Sequence, residues 1–366
     1  MRPPPKWVRR LVLAPLVVVA ALVITALLPL WLVVATAVSI FIEPRLRTPR
    51  LLWMVNLYLL WDAAALVALF AVWIASGFGW RIHTPRFQRV HYRMVARMLQ
   101  FLFWNAYWVL RLDIDVRVPA GFHDDDRPRV IASRHAGPGD SFILVHAVFH
   151  WFHRSPRIVL KDTLQWDPAV DVVLNRLPNR FIAPPPVSGR RRPSDHGLQE
   201  RISELARGMG PHDALVIFPE GGNFTERRRS RAIERLHAAG LDAIADRAAR
   251  LQNVMAPRPG GFFAALDAAP DADVFFVAHT GLDRIRTVAD VWRELPTDKT
   301  IIMRFWNVAR AEIPADPDER TDWLMREWER IDEWIEANRP EPDADTTPVA
   351  RRRHRPAAAR DGVTRS

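Results

Sequence analysis

Two long apolar stretches near the N-terminus restrict what this chain can fold into more than any other feature. Leu11–Ile42 contains no charged residue, and Leu51–Phe78 contains a single one, Asp62. As a helix, the first stretch would be about 48 Å long, against a hydrocarbon core of about 30 Å in a bilayer. Apolar runs of this length are typical of helices in lipid. We therefore expect residues 1–80 to form a membrane hairpin of two apolar helices.

Basic residues before and after the two stretches predict the orientation of this hairpin. They are Arg2, Lys6, Arg9, Arg10, Arg81, Arg86, Arg89, Arg93 and Arg97. Because Lys and Arg accumulate on the cytoplasmic side of membrane helices, both ends of the hairpin are expected in the cytoplasm. The link Glu43–Arg50 is also basic and costly to translocate, so a hairpin that enters one leaflet is an alternative to one that spans. A signal peptide is a further alternative, but its apolar core has only about 7–15 residues.

Composition excludes some chemistry and indicates the class of partner. The chain of 366 residues has no cysteine, which excludes disulfides, thiolate catalysis and thiolate metal sites. Its formal net charge of +10 predicts an anionic partner, either nucleic acid or an anionic membrane surface. The apolar N-terminal stretches favour the membrane. Membrane phospholipids, and not nucleic acid, are therefore the expected partner.

The hydrophobic pattern changes twice beyond the hairpin. Residues 81–110 mix apolar and basic positions, which indicates an amphipathic helix at the bilayer surface or, alternatively, a helix that faces a protein core. Residues 111–339 alternate strand-like and helical segments, and this predicts an α/β domain with a mixed, mostly parallel sheet flanked by helices. Residues 340–366 have almost no large apolar side chain, so a disordered basic tail is expected there.

Short β-branched and aromatic runs mark the strands of this domain, and longer segments with helical periodicity mark its helices. The predicted strands are Leu112–Val118, Val130–Ser133, Arg157–Leu160, Ala214–Phe218, Val274–Ala278 and Thr300–Phe305. The predicted helices are Asp140–Phe152, Pro168–Asn175, His196–Gly208, Arg229–Ala238 and Thr321–Asn338.

The loop Ser133–Asp140 combines a histidine with a carboxylate as the chain leaves a strand and enters a helix. Glycine and proline between the two residues let the chain fold back tightly. Asp140 can then reach one imidazole nitrogen of His135, fix its tautomer and leave the other nitrogen as a general base. The nucleophile of a hydrolase triad is missing, so a substrate hydroxyl is the expected proton source. Alternatively, Asp140 is a helix N-cap and His135 an ordinary loop histidine.

A second polar turn, Pro219–Gly222, follows another predicted strand. Ligands of open α/β sheets bind at the carboxyl ends of strands. Glu220 offers an acceptor for hydroxyl groups, while Gly221 and Gly222 let the backbone approach a substrate. The arginines that follow, Arg227–Arg229, are placed to meet a phosphate.

Taken together, His135-x4-Asp140 and the later Phe218–Gly221 resemble the glycerophospholipid acyltransferase family, which includes the 1-acyl-sn-glycerol-3-phosphate acyltransferases. The resemblance covers about Val118–Leu282, and some bacterial members also have an N-terminal membrane hairpin. The segment Val254–Phe262 is similar to the Pro-Arg-x-x-Gly-Phe segment of the lysocardiolipin acyltransferase-type branch.

The resemblance implies a mechanism without a cofactor. His135 would take the proton from the free hydroxyl of a lysophospholipid, Asp140 would orient it, and the alkoxide would attack an acyl thioester of CoA or carrier protein. The implied substrate-binding residues are Arg134, Lys161, Arg180, Glu220, Gly221 and Gly222. In the family the phosphate-binding arginine usually follows a Phe-Ile pair, whereas Arg180 precedes Phe181 and Ile182, so Arg190, Arg191 and Arg192 are also eligible.

The resulting prediction is a cell-membrane O-acyltransferase with its catalytic domain facing the cytoplasm. The favoured acceptor is 1-acyl-sn-glycerol-3-phosphate, which would give phosphatidic acid. Alternatives are another lysophospholipid or glycolipid acceptor, or a non-catalytic membrane-tethered binding protein. The spacing of His146, His150 and His153 is compatible with zinc, but Ala147 replaces the glutamate of the zinc-protease motif, and no metal site is predicted.

Overall fold

The structure is a computed structural model, and it describes residues 3–42, 46–118, 125–137, 139–182, 195–281 and 299–339. Every structural statement below concerns these residues. The candidate ligands Arg190–Arg192 and the predicted tail 340–366 lie outside the described residues.

In the described ranges the α-helices are α1 (Lys6–Val8), α2 (Ala14–Ile42), α3 (Arg47–Ala75), α4 (Pro85–Asn105), α5 (Asp140–His150), α6 (Pro168–Leu174), α7 (Asp195–Ala206), α8 (Glu226–Ala238), α9 (Asp242–Arg250), α10 (Pro259–Ala268) and α11 (Pro317–Asn338). The strands are β1 (Leu112–Arg117), β2 (Arg129–Ser133), β3 (Ser155–Lys161), β4 (Arg180–Ile182), β5 (Asp213–Ile217), β6 (Asp273–Thr280) and β7 (Lys299–Val308). Short π-helical or 3₁₀ turns occur at Arg9–Leu13, Ala106–Leu110, Asp162–Trp166 and Arg310–Glu312.

The two apolar stretches form long helices that pack against each other. Lys6–Phe41 and Arg47–Ala75 are long and apolar enough to cross a membrane by length and composition. Their polar contact is a hydrogen bond of 3.0 Å from Thr25 Oγ1 to Asn56 Oδ1. Helices α1 to α3 are called the hairpin below.

The strands form one seven-stranded sheet in the order β1-β7-β6-β2-β5-β3-β4. Strands β6 and β7 are antiparallel, and every other neighbouring pair is parallel. Each predicted strand and helix overlaps an observed one, and the predicted fold class, a mixed and mostly parallel sheet flanked by helices, is confirmed. Strand β4 and helices α9 and α10 are additional to the prediction.

Helices cover both faces of the sheet, and its central strands are therefore fully buried. All residues of β2 and β6 are buried. On one face, Ile131 and Phe275 pack against Leu144 of α5. On the other face, Phe276 packs with Phe262 of α10 and with α11. Because β2, β5 and β3 run in parallel, their carboxyl ends share one edge, where the histidine loop and the glutamate turn both begin.

Candidate active site

His135 and Asp140 lie together at the carboxyl end of β2. The loop between them brings His135 Nδ1 to 3.8 Å from Asp140 Oδ2. The residues are 9% and 3% exposed. This separation is within ion-pair range but exceeds a hydrogen bond, and His135 Nδ1 has no hydrogen-bond partner among the residues described. Catalytic pairs are often this loose without substrate, so the geometry suits a base and its orienting carboxylate.

The surroundings of Asp140 stabilise its charged form. Its Oδ2 accepts a hydrogen bond of 2.6 Å from Gly137 N. Burial by itself raises the pKa of Asp140. The electrostatic interaction with His279 and the nearby His135 ring act in the opposite direction. Together with Gly137 N–H and the charge of Arg134, they leave the Asp140 pKa below its ordinary value. Asp140 is therefore a carboxylate at neutral pH.

Two contacts join the histidine loop to the turn that carries Glu220. The ring of His135 stacks on Phe218, with centroids 4.6 Å apart and an interplanar angle of 27°. Phe224 N donates a hydrogen bond of 2.7 Å to His135 O. Strands β2 and β5 are parallel neighbours, which explains why these two loops emerge side by side. The imidazole is thus held between its carboxylate and the glutamate turn.

Glu220 is buried and carries a perturbed carboxyl group. It is 3% exposed, and neither carboxyl oxygen makes a hydrogen bond of normal geometry to a described residue. Burial raises the pKa of Glu220 to about 8, although Arg134 and the N–H groups of His135 and Met255 act to lower it. The Asp140 carboxylate raises it further. At neutral pH the group is mostly protonated, so it offers both a donor and an acceptor.

Both glycines of the turn are in close contact with arginine side chains. Gly221 has φ +71°, a left-handed conformation that favours glycine, and a Cβ added there would lie 3.1 Å from Arg258 Cζ. A Cβ added at Gly222 would lie 2.7 Å from Arg228 Nη1. Arg228 and Arg258 are themselves exposed. The turn therefore brings backbone N–H groups and two guanidinium groups to one surface.

The structure separates the predicted cationic ligands. Lys161, at the carboxyl end of β3, lies near this turn, since burial and the charge of Arg228 lower its pKa. Arg180, on β4, forms an ion pair of 3.6 Å with Glu204 of α7. Arg134 is 2% exposed and donates from Nη1 to Asn253 O at 3.3 Å, so its charge acts on the site although the side chain is buried.

Two of the three histidines considered for zinc, His146 and His150, belong to an aromatic cluster. The ring of His146 stacks on Phe103 at 4.4 Å and lies 4.2 Å from the ring of His150. Burial and the neighbouring His150 lower the pKa of His146 to about 4. Within the described residues, no group of three or more His, Cys, Asp or Glu side chains is arranged to hold a metal ion.

Sequence reasoning missed three residues of this site. His279 is the penultimate residue of the buried strand β6, Phe218 supports the imidazole, and Arg258 lies against Gly221. The sequence signal for His279 was its place at the end of an apolar run. In the sheet, this run forms the strand next to the one that leads to His135. For Arg258 the signal was the Pro-Arg-x-x-Gly-Phe segment itself.

This chain is similar to one protein family and to several known proteins. The Acyltransferase family model matches residues 114–280. An uncharacterized acyltransferase of Schizosaccharomyces pombe is 24% identical over 195 residues, which is 50% of this chain and 52% of that protein. The chain thus spans about half the length of this curated relative.

Among solved structures, the 1-acyl-sn-glycerophosphate (LPA) acyltransferase PlsC of Thermotoga maritima is similar at a TM-score of 0.45. It is 14% identical, and the similarity covers 76% of this chain and 96% of that chain. His135, Asp140 and the glutamate turn all lie inside the range matched by the family model. The resemblance seen in the sequence is therefore confirmed for residues 114–280, the range that the Acyltransferase family model matches.

Proposed function

We propose that this chain is a membrane-bound O-acyltransferase that moves an acyl chain from an acyl thioester to the free hydroxyl of a lysophospholipid. The acceptor that fits best is 1-acyl-sn-glycerol-3-phosphate, and the product is then phosphatidic acid. The observation that carries the proposal is the buried His135–Asp140 pair, 3.8 Å apart, at the sheet edge that also holds Glu220.

The reaction is a direct transfer with His135 as general base. The imidazole takes the proton of the acceptor hydroxyl while its oxygen attacks the thioester carbonyl carbon. The C–S bond then breaks, and the thiolate leaves with the proton that His135 carries. Asp140, held as a carboxylate, stabilises the imidazolium between these steps. A positioned base of this kind contributes about 100- to 10,000-fold to the rate.

Glu220 and the glycine turn bind the glycerol part of the acceptor. A mostly protonated Glu220 both donates to and accepts from the acceptor's oxygen atoms, and its burial strengthens such contacts. Gly221 and Gly222 allow the acceptor to approach the backbone closely. Gly222 N–H of this turn is a suitable donor for the oxyanion of the tetrahedral intermediate, whereas Gly221 N already donates to Phe218 O at 3.0 Å.

The acceptor phosphate binds the cationic group formed by Lys161, Arg228 and Arg258. Support comes from Lys161, whose pKa is lowered by burial and by the charge of Arg228, because like charges held close together favour an anion between them. Arginine binds phosphate in a bidentate manner, which also fixes its orientation. Arg180 remains the second candidate, although its ion pair with Glu204 must first open.

The donor is acyl-CoA or an acyl carrier protein, used as co-substrate without a metal or other cofactor. The enzyme works at the cell membrane, with its catalytic domain facing the cytoplasm. The hairpin holds the active site beside the phospholipids that supply the acceptor and receive the product. The apolar lengths of Lys6–Phe41 and Arg47–Ala75 support this location.

Turnover by the purified full chain in mixed micelles tests the function. Lysophosphatidate with acyl-CoA should release free CoA thiol, and a parallel screen of other lysophospholipids, a lysoglycolipid and glycerol 3-phosphate should rank the acceptors. We expect His135→Ala to lose about 100- to 10,000-fold in kcat while its circular dichroism is unchanged. His237→Ala, at an exposed histidine that pairs with Asp242 on α9, is the matched control and should retain activity.

Two results would contradict the proposal. Full activity of His135→Ala would remove the mechanism. Absence of turnover with every acceptor and donor, combined with tight binding to phospholipid vesicles, would instead favour the membrane-tethered binding protein.

A further inference from the structure

Loop 251–258, here called the anchor loop, connects α9 to α10 and contacts the active site at several points. Asn253 O accepts a hydrogen bond of 3.3 Å from Arg134 Nη1. Arg258 N donates to Pro219 O at 2.9 Å, and the Arg258 guanidinium lies against Gly221. The loop therefore adjoins both the buried Arg134 and the glutamate turn.

The C-terminal helix α11 holds the anchor loop in this position. Asp332 is 9% exposed, and its Oδ1 accepts from Asn253 N at 2.6 Å and from Gln252 N at 3.1 Å. Glu336 Oε2 accepts from Asn253 Nδ2 at 3.1 Å. Thus two carboxylates on one face of α11 bind both the backbone and the side chain of the residue that contacts Arg134.

We propose that Asp332 is a positioning residue of the active site, which acts through Asn253 on Arg134 and the Glu220 turn and so determines how well the acceptor binds. This inference rests on the proposed function, because it assigns a role in the same reaction. Asp332 lies outside residues 114–280, the range that matches the family. The C-terminal helix therefore contributes a residue, Asp332, to a site that is otherwise built within that range.

The physical link is electrostatic as well as steric. Arg134 is a buried cation whose charge acts on both Glu220 and Asp140. Because little water screens buried charges, the interactions between them are strong and change when the distances between them change. If Asn253 moves, Arg134 loses the carbonyl that holds it, and Arg258 shifts over Gly221. Both changes alter the surface that receives the acceptor, while His135 and its carboxylate keep their own loop contacts.

The test compares Asp332→Asn and Asp332→Ala with a matched control in the full chain. Glu327→Ala removes a partly buried partner on the same helix, since Glu327 Oε2 accepts from Trp306 Nε1 at 2.7 Å, but Glu327 does not contact the anchor loop. We measure kcat and KM for lysophosphatidate at saturating acyl-CoA, together with the thermal unfolding midpoint and its rise on adding lysophosphatidate.

For Asp332→Ala we expect KM for the acceptor to rise about 10-fold with less than about 3-fold change in kcat. Asp332→Asn, which keeps one acceptor oxygen, should fall between Asp332→Ala and wild type. Glu327→Ala should lower the unfolding midpoint without changing KM. The midpoint rise with lysophosphatidate should shrink in the Asp332 variants alone.

Equal loss of stability in all variants with unchanged acceptor KM would overturn the inference and leave Asp332 a role in folding only. If Asp332→Ala does not fold, the kcat and the acceptor KM of Asp332→Asn, compared with those of wild type, decide the question. Failure of the proposed function is visible separately, as absence of turnover in wild type. In that case the rise of the unfolding midpoint on adding lysophosphatidate still tests the role of Asp332. An unchanged rise in Asp332→Asn counts against the inference.

Discussion

At the scale of single residues, Glu220 connects stability to pH in a direction opposite to that of most carboxylates. Its pKa rises from 4.5 to about 8 because burial penalises the charged form. Between these two pH values the folded chain keeps a proton that the unfolded chain has released. Unfolding is therefore favoured as the pH rises through this window, and the contribution of Glu220 to stability declines.

Glu220→Gln should remove this pH dependence, because glutamine resembles the protonated carboxyl and cannot ionise. Relative to wild type, the variant should gain stability progressively from pH 5 to pH 8, by up to a few kcal/mol at about 1.4 kcal/mol per pKa unit. Thermal unfolding midpoints of both proteins at a series of pH values measure the gain. Glu204→Gln controls for the change of side chain, and a stability difference constant with pH would contradict the raised pKa.

The chemistry-bearing residues of the site could be predicted from the sequence where they share a short loop. His135 and Asp140 are five positions apart, and Glu220 to Gly222 are adjacent, so local geometry alone brings each set together. His279 and Arg258 lie in segments that the sequence marks, but only the strand order and the packing of the anchor loop bring them near the site. Arg180 stays a prediction: its neighbourhood in the sequence suggests a phosphate ligand, and its side chain pairs with Glu204.

At the scale of elements, the hairpin is attached to the α/β domain through polar contacts of α6. Asp171 on α6 is fully buried and forms ion pairs with Arg9 at 2.9 Å and Arg10 at 3.4 Å. Asp62 of α3 accepts a hydrogen bond of 3.3 Å from Ala169 N. Asp62 therefore faces protein rather than lipid, which explains a carboxylate in the middle of an apolar helix.

Asp171→Asn should loosen the hairpin from the domain, because it leaves the buried Arg9 without its counter-charge. Removing one partner of a buried pair costs about 3–5 kcal/mol. We expect faster amide hydrogen exchange in residues 6–18 and a lower unfolding midpoint. Arg10→Gln is the comparison: Arg10 is 31% exposed in its side chain and its bond is longer, so a small effect is expected. Equal effects of both changes would contradict this account.

The elements missed by the sequence have physical explanations. Strand β4 has three residues, Arg180–Ile182, which is too short for a periodic pattern. Helix α10 begins with Pro259, Gly260 and Gly261, residues that usually mark a turn, and Phe262 stabilises it by packing in the core instead. Helix α9 is mostly alanine and charge, and only Ala245 and Ala248 are buried, so its apolar face is small.

At the scale of the whole molecule, the docking of α6 limits how far the hairpin enters a bilayer. Leu66 and Leu69 of α3 and Val17 of α2 pack with α6, so these parts of the hairpin lie against the domain. The remaining start of α3, Arg47–Trp61, is about 22 Å long at 1.5 Å per residue, against about 30 Å for the hydrocarbon core. This length favours insertion into one leaflet.

The exposed side of α4 indicates where the bilayer surface lies. Along one stripe of the helix and the turn after it, basic residues give way to tryptophan: Arg86, Arg89, Arg93, Arg97, Trp104 and Trp108. Trp104 and Trp108 are 57% and 64% exposed. Arginine prefers the headgroup region and tryptophan the interface below it, so the end of α4 is expected to be deeper than its start. Arg50 of α3 donates to Val109 O, which places the start of α3 at the same depth.

Because the chain has no cysteine, single cysteine substitutions can test this depth directly. Leu46→Cys places a thiol at the tip of the hairpin, and Ser230→Cys places one on the exposed side of α8. In intact cells neither should react with a membrane-impermeant maleimide if, as we propose, the tip remains within the bilayer and the domain lies in the cytoplasm. In inverted membrane vesicles Ser230→Cys should react, and after detergent both should react. Labelling of Leu46→Cys from outside intact cells would show that the hairpin spans, and the contacts of α6 with α2 and α3 would then have to open in the membrane.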